Sequence, residues 1–385
     1  MTTTSVPLGR PSTHGFLREL AEPRQVFAHL GPNWFASIMG TGIVANAAAT
    51  LPLGFPGLRT AATVVWALAA LMLLVLLGAW AVHWFRHPAN ARGHAGNPVM
   101  AQFWGAPPMA LMTVGAGTLL LGGAWIGTGP ALTVDWVLWT AGTLLGLVTA
   151  VWIPFRMMTS HDIANDSAYP QPSHPDAYPQ PSRPGAFGGW LMPVVPPMVS
   201  AATGALLIPH VPGASARLVL LLFCYAMFGM SLFATLFLLP QIWQRLVEHK
   251  GPATLVPTVW IVLGPLGQSI TAASALAGDA PAPAAIAAVL YGVPVWGFAM
   301  LWLALAAALT VRAARDRLPF ALTWWSFTFP LGTVVTGTSA LAARVHSGLF
   351  TAAATALYVL LVLAWITVAA HTVRGSYTGA LFRRT

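Results

Sequence analysis

The side chains of this sequence that could handle a solute are hydroxyls, amides and one aromatic ring, set at helical spacing around a proline. Steps of three and four residues from Phe329 reach Ser326, Thr333, Thr336 and Ala340, which is one face of an α-helix. That face is small and hydroxylated with a single ring across it, the chemistry of a plugged polar passage. The same residues would also serve an ordinary helix interface. Aligned on its own proline, Pro265, an earlier segment puts Gly264 where Phe329 stands, followed by Gln268, Thr271 and Ala275. Glycine at that point leaves room for the ring. Ser37, Asn46 and Thr203 are further candidates for such a lining, again with helix packing as the alternative.

Charge is missing from these stretches. All nine acids (Glu19, Glu22, Asp135, Asp162, Asp166, Asp176, Glu248, Asp279 and Asp316) fall at the ends of apolar segments or between them. A proton-coupled carrier usually buries an ionisable residue in the membrane, and a cation channel usually presents an acidic ring. Neither is visible. An uncharged polar passage with basic rims favours anions and holds them weakly, which suits conduction. His83 and His87 form an i,i+4 pair followed by His94. They read either as a metal or pH-sensing cluster or as an interfacial loop. His210, His346 and His371 lie too near segment ends to ligate a haem between helices. Cys224 stands alone, so an intramolecular disulfide is excluded. No nucleophile motif, P-loop or dinucleotide fingerprint occurs, and the sequence predicts no catalytic residue, no metal and no cofactor.

The elements that must position these residues are membrane helices. The chain is 57% hydrophobic and 7% charged, with a mean hydropathy of +0.71, outside the range of soluble domains. Ten apolar stretches are long enough to cross a bilayer: 31–51, 58–85, 99–125, 132–155, 188–210, 214–242, 253–277, 283–311, 320–343 and 348–372. An even number puts both termini on one face. Of the 18 Lys and Arg residues, only Arg59, Arg217 and Arg344 fall on the opposite face. This bias predicts cytoplasmic termini in an inner or plasma membrane. The net charge of +9 then reports topology and lipid contact rather than nucleic acid. The first 30 residues are polar and mixed, without the pattern of a cleavable signal; His14 to Leu30 carries a faint interfacial-helix pattern.

Three parts follow: a cytoplasmic segment 1–30, a membrane domain 31–373 and a cytoplasmic tail 374–385. Within the domain, residues 160–187 form a Pro/Ser/Asp-rich cytoplasmic insert. In it Ala168-Tyr169-Pro170-Gln171-Pro172-Ser173 recurs as Ala177-Tyr178-Pro179-Gln180-Pro181-Ser182. Its composition predicts an extended or disordered spacer, or a partner-binding motif.

A larger repeat organises the helices. Trp34, Trp104, Trp190, Trp260 and Trp325 each open an odd-numbered stretch, at spacings of 70, 86, 70 and 65 residues. The longest spacing contains the insert. Each Trp is followed by a Gly or Pro break: Gly40-Thr41-Gly42, Pro107-Pro108, Pro193 with Pro196-Pro197, Gly264-Pro265 and Pro330-Leu331-Gly332. The candidate kinks are Gly40, Pro108, Pro197, Pro265 and Pro330. The even stretches read as poorer in proline. A proline inside a helix costs roughly 3 kcal/mol, and in hydrocarbon the freed carbonyl must face protein or a wet cavity. Five such breaks predict five helical hairpins whose odd members turn inward around a lumen.

The segments Gly31-Pro32-Asn33-Trp34-Phe35 to Met39-Gly40-Thr41-Gly42-Ile43 and Trp324 to Thr333 resemble the tellurite-resistance/dicarboxylate transporter family. It includes plant slow anion channels, fungal malate permeases and fungal sulfite efflux pumps. The likeness spans nearly all of residues 30–373. It implies an all-α polytopic fold of ten transmembrane helices, paired as five hairpins with quasi-fivefold symmetry around a central pore in each subunit of a homotrimer. It also implies a phenylalanine gate just before the proline of the ninth helix, which is Phe329 here.

The expected function is therefore passage of small anions, of dicarboxylate, sulfite, chloride or nitrate type, through a Phe-gated uncharged pore. A small carboxylate-like anion is preferred. The expected partners are the anion, the lipid bilayer and two further copies of the chain. The alternatives are a proton-coupled C4-dicarboxylate or sulfite carrier and, more distantly, an intramembrane redox or haem protein.

Overall fold

The computed structural model describes residues 16–20, 22–166, 185–248, 251–278 and 282–383. Among them the longer helices are α1 (Phe35–Thr50), α2 (Leu58–Arg86), α3 (Ala106–Gly117), α4 (Thr128–Asp166), α5 (Pro196–Leu207), α6 (Ala214–Glu248), α7 (Leu263–Ala277), α8 (Ala282–Arg315), α9 (Phe329–Val345) and α10 (Gly348–Thr378). No strand occurs among the described residues. Seven helical stretches are long and apolar enough to cross a membrane: Leu58–Arg86, Met100–Ile126, Thr128–Thr159, Ala214–Glu248, Ala253–Ala277, Pro283–Arg315 and Gly348–Thr378. α4 runs on to Asp166, into the stretch expected to be an extended insert. The repeated Tyr-Pro-Gln-Pro units lie outside the described residues.

The predicted breaks are junctions between two kinds of helix. All five inner helices have 3-10 lead-ins: Pro32–Trp34 before α1, Met100–Gly105 before α3, Gly188–Leu191 before α5, Ala253–Val262 before α7 and Leu322–Phe327 before α9. Pro108, Pro197 and Pro330 then fall in the opening turns of α3, α5 and α9, and Pro265 is the third residue of α7. The first four N–H groups of an α-helix have no intrahelical partner, so a proline there forfeits little. The mid-helix penalty expected from the sequence is avoided.

Gly40 departs from the expectation. α1 is unbroken from Phe35 to Thr50. A Cβ on Gly40 would collide with the Thr328 hydroxyl and sit 2.7 Å from the Trp325 ring, so this glycine serves close approach rather than a break. The outer helices also contain prolines, Pro154 in α4, Pro240 in α6 and Pro294 in α8. The inner helices are thus marked by where proline sits.

Burial separates the helices into two layers. α1, α3, α5, α7 and α9 are buried along most of their length, whereas α2, α4, α6, α8 and α10 expose Leu, Val and Phe outward. In a bilayer the hydrophobic effect does not press helices together, so close packing and hydrogen bonds must do it. The inner helices touch in a closed cycle, α1 to α3 to α5 to α7 to α9 and back to α1. Each also packs on the outer helix that follows it in sequence.

The cycle is stitched by tryptophans. Trp66 of α2 donates to Thr118 Oγ1 just beyond α3 at 3.1 Å, and Trp139 of α4 donates to Ser200 O of α5 at 3.0 Å. Trp296 of α8 donates to Thr338 Oγ1 of α9 at 3.0 Å. Trp365 of α10 donates to Thr41 Oγ1 of α1 at 3.1 Å. In each case an outer helix reaches the inner helix of the next pair, and the last bond closes the ring. The two ends of the described chain meet on one face: Leu17 N–H donates to Tyr377 O at 2.8 Å and Glu19 N–H to Thr378 O at 3.0 Å. In place of an interfacial helix, residues Pro23–Phe27 form a short 3-10 turn.

Candidate functional site

The five inner helices converge on one small cavity at the level of the prolines. Ala36 and Met39 reach it from α1, Phe103 and Met109 from α3 and its lead-in, Met192 and Val195 from the segment opening α5, Ile261 and Gly264 from α7 and its lead-in, and Ser326, Phe329 and Pro330 from α9 and its lead-in. The cavity volume is about 10 Å³, at the lower limit for holding one water molecule. Phe329 is buried, with 2% of its surface exposed.

Local sequence explains the lining. Phe103, Met192, Ile261 and Ser326 each precede a proline by four residues, so they share its helix face. Phe329 stands first in α9, immediately before Pro330. Opposite, a Cβ on Gly264 would meet only Pro330 Cβ, at 3.9 Å. Gly264 therefore leaves open space beside Pro330. Ser326 supplies the one side-chain hydroxyl of the lining, and no charged group borders it. A space of this size is too small for a hydrated ion.

The other candidates lie elsewhere. The Thr333 hydroxyl is 2.6 Å from Pro330 O, 3.1 Å from Gly264 O and 3.2 Å from Leu263 O, binding α9 to α7. Thr336 donates to Thr333 O at 3.0 Å and lies 2.9 Å from the Thr271 hydroxyl. Ser37 donates to Trp34 O at 2.7 Å, and Thr203 to Val199 O at 2.8 Å. Asn46 donates to Thr113 O at 3.0 Å, while its Oδ1 and Gln268 Oε1 are buried without a partner. Ser326, Gly264, Phe329 and Pro330 are therefore brought together, and the hydroxyl stripe beyond them joins helices. Sequence reasoning missed Met39, Phe103, Met109, Met192 and Ile261. A signal existed for three of them: Met39, Met109 and Met192 each adjoin a glycine or proline of a predicted break.

The sparse arginines of the second face have defined work. Arg59 donates to Leu120 O at 3.0 Å, Arg217 to Val211 O at 2.7 Å, and Arg344 to Ser274 O and, at 3.1 Å, to Gly278 O. These carbonyls lie at or beyond the C-terminal ends of inner helices, where positive charge offsets the helix dipole. On the other face, His83 Nδ1 donates to Phe27 O at 2.8 Å, and the Nε2 atoms of His83 and His94 are 3.1 Å apart. A carbonyl only accepts, so His83 carries its hydrogen on Nδ1 and His94 Nε2–H donates to His83 Nε2. Burial, with His83 and His29 nearby, pushes His94 down to about 4. Among the described residues no group of three or more His, Cys, Asp or Glu side chains is placed to hold a metal ion.

Ringed and uncharged at its axis, this is a multi-pass helical membrane protein of the transport class. The chain belongs to the SLAC1 family, voltage-dependent anion channel, which matches residues 29–373. It is 28% identical over 359 residues to an uncharacterized transporter of Methanocaldococcus jannaschii, covering 91% of this chain and 95% of that one. It is 27% identical over 371 residues to sulfite efflux pumps of Trichophyton rubrum and Arthroderma benhamiae, covering 91% of this chain and 92% of each pump. The family and these relatives are channels and transporters, and the family supports anion transport for this chain.

Proposed function

We propose that the chain forms an anion-conducting pore through ten membrane spans, arranged as five hairpins with quasi-fivefold symmetry, and that Phe329 is its gate. The observation that supports this reading is the small cavity to which all five inner helices contribute and which Phe329 helps to line. Sulfite, nitrate, chloride and short carboxylates are the candidate solutes. The sulfite pumps among the relatives place sulfite first in the panel to be tried. Both termini face the cytoplasm of an inner or plasma membrane, and three copies assemble with one pore each. Turning of the Phe329 ring toward the space beside Gly264 widens the path.

The test is a flux panel in proteoliposomes. Sulfite, nitrate, chloride and malate are supplied in turn at fixed membrane potential. Movement of at least one anion, with potassium held back, is expected. Equal movement of potassium, or no anion flux in any arm, overturns the reading.

A further inference from the structure

Among the described residues, Asp135 is the one acid that the sequence places at a span end and the fold buries completely. It lies in the second turn of α4, with 0% of its surface exposed, and neither carboxyl oxygen has a hydrogen-bond partner. The elements packed on α4 are Met100–Gly105, α3, the π turn Thr118–Gly122, Gly123–Ile126 and α5. None of them carries an acidic, basic, His, Cys or Tyr side chain. On α4 itself the next charged residue is Arg156, near its other end. Arg59 reaches the π turn from α2, and it donates to Leu120 O.

A carboxylate buried with neither a protein donor nor a cation beside it is among the costliest groups a protein can hold. The closed packing accommodates the neutral acid. The carboxyl presses on Gly115 of α3: a Cβ there would sit 2.6 Å from Asp135 Oδ1 and 3.2 Å from Leu138 Cβ. Three residues on, α3 gives way to the π turn. Such turns are sites where a helix can change its register. The opposite side of α3 is held by α1, through Asn46 and Thr113 O at 3.0 Å. Asp135 is thereby in contact with an inner helix that contributes Met109 to the closed cavity.

We propose that Asp135 is a proton-binding site of the transport cycle, loaded in the closed state and emptied when α3 moves. The inference rests on the anion-transport reading. On emptying, the O–H bond breaks, the carboxylate keeps the electron pair and the proton passes to bulk water. The charge then requires hydration, which separates the Gly115 contact, and the π turn absorbs the shift.

Two measurements on the full-length protein in proteoliposomes test this. The first is anion flux against pH for the wild type and Asp135→Asn, whose side chain copies the neutral acid in shape. Wild-type flux is expected to rise severalfold as pH is raised from acid to mildly alkaline, with Asp135→Asn held at the wild-type acid level throughout. An unchanged pH profile in Asp135→Asn overturns the proposal. The second is the infrared carbonyl band of a protonated carboxyl at neutral pH, expected in the wild type and lost in Asp135→Asn. Absence of the band in the wild type also overturns it. Because this readout needs no transport, a wild type that shows the band and moves no anion refutes the transport reading and leaves the proton site standing.

Discussion

The junction of α7 with α9 and the junction of α3 with α4 solve one packing problem in opposite ways. Between α7 and α9, glycine lets backbones touch: a Cβ on Gly267 would collide with the Thr333–Val334 peptide, and one on Gly337 would sit 2.7 Å from Gly267 O. Hydroxyls finish the contact, with Thr333 reaching Gly264 O and Thr271 paired to Thr336. Between α3 and α4, Gly115 makes room for an acid that finds no partner, beside a helix that relaxes into a π turn. The first junction closes on backbone and hydroxyl contacts. The second stores an unsatisfied group. One glycine admits a backbone contact and the other a buried carboxyl.

The contrast breaks most sharply at Gly267. Gly267→Val has only backbone to push against, so it is expected to cost about 3 kcal/mol or more and to abolish monodisperse protein after detergent extraction. A well-folded variant with an unchanged melting temperature would show that the α7–α9 contact is not tight. Gly115→Ala meets a side chain that can yield, so a smaller loss of about 1–2 kcal/mol is expected. Added Asp135→Ala should relieve most of it; an additive double variant would separate the two residues. Thr336→Val removes one side-chain pair while Thr271 keeps Gly267 O at 3.2 Å, so a loss near 1 kcal/mol is expected in a thermal melt.

The smallest effect lies outside both junctions, at the histidine pair. His94 is held down to about 4 from 6.5 in the folded protein. In that interval the unfolded chain binds a proton that the folded one refuses, so stability rises with pH across it. The contribution is fully present above about 6.5 and is lost as pH falls toward 4. His94→Gln should flatten that part of a pH-melting curve; an unchanged slope would contradict the packing of His94 against His83.

Much of the framework was legible because membrane helices advertise themselves. The stretches predicted at 58–85 and 348–372 correspond to Leu58–Arg86 and Gly348–Thr378, and the Trp-then-Gly/Pro repeat located the junctions of the inner helices. The cavity was half legible. Phe329, Ser326 and Gly264 were found through proline registration, since a proline fixes a helix face. Phe103 and Ile261 were not found, because an apolar side chain looks the same whether it meets lipid, a neighbour or a lumen. Thr333 and Thr336 were expected as lining, and their hydroxyls bond backbone carbonyls and Thr271; a hydroxyl serves a passage or a neighbouring carbonyl equally well. Asp135 escaped because position in a span gives depth without giving the face it occupies.

The most direct measurement of the gate is electrogenic anion flux through Phe329→Ala in proteoliposomes, beside the wild type at the same protein density. Removing the ring enlarges a cavity of about 10 Å³ without adding charge. Anion flux at least tenfold above wild type, with potassium still excluded, is the predicted result. Flux unchanged from wild type, or a rise shared equally by potassium, would contradict Phe329 as the gate of an anion path.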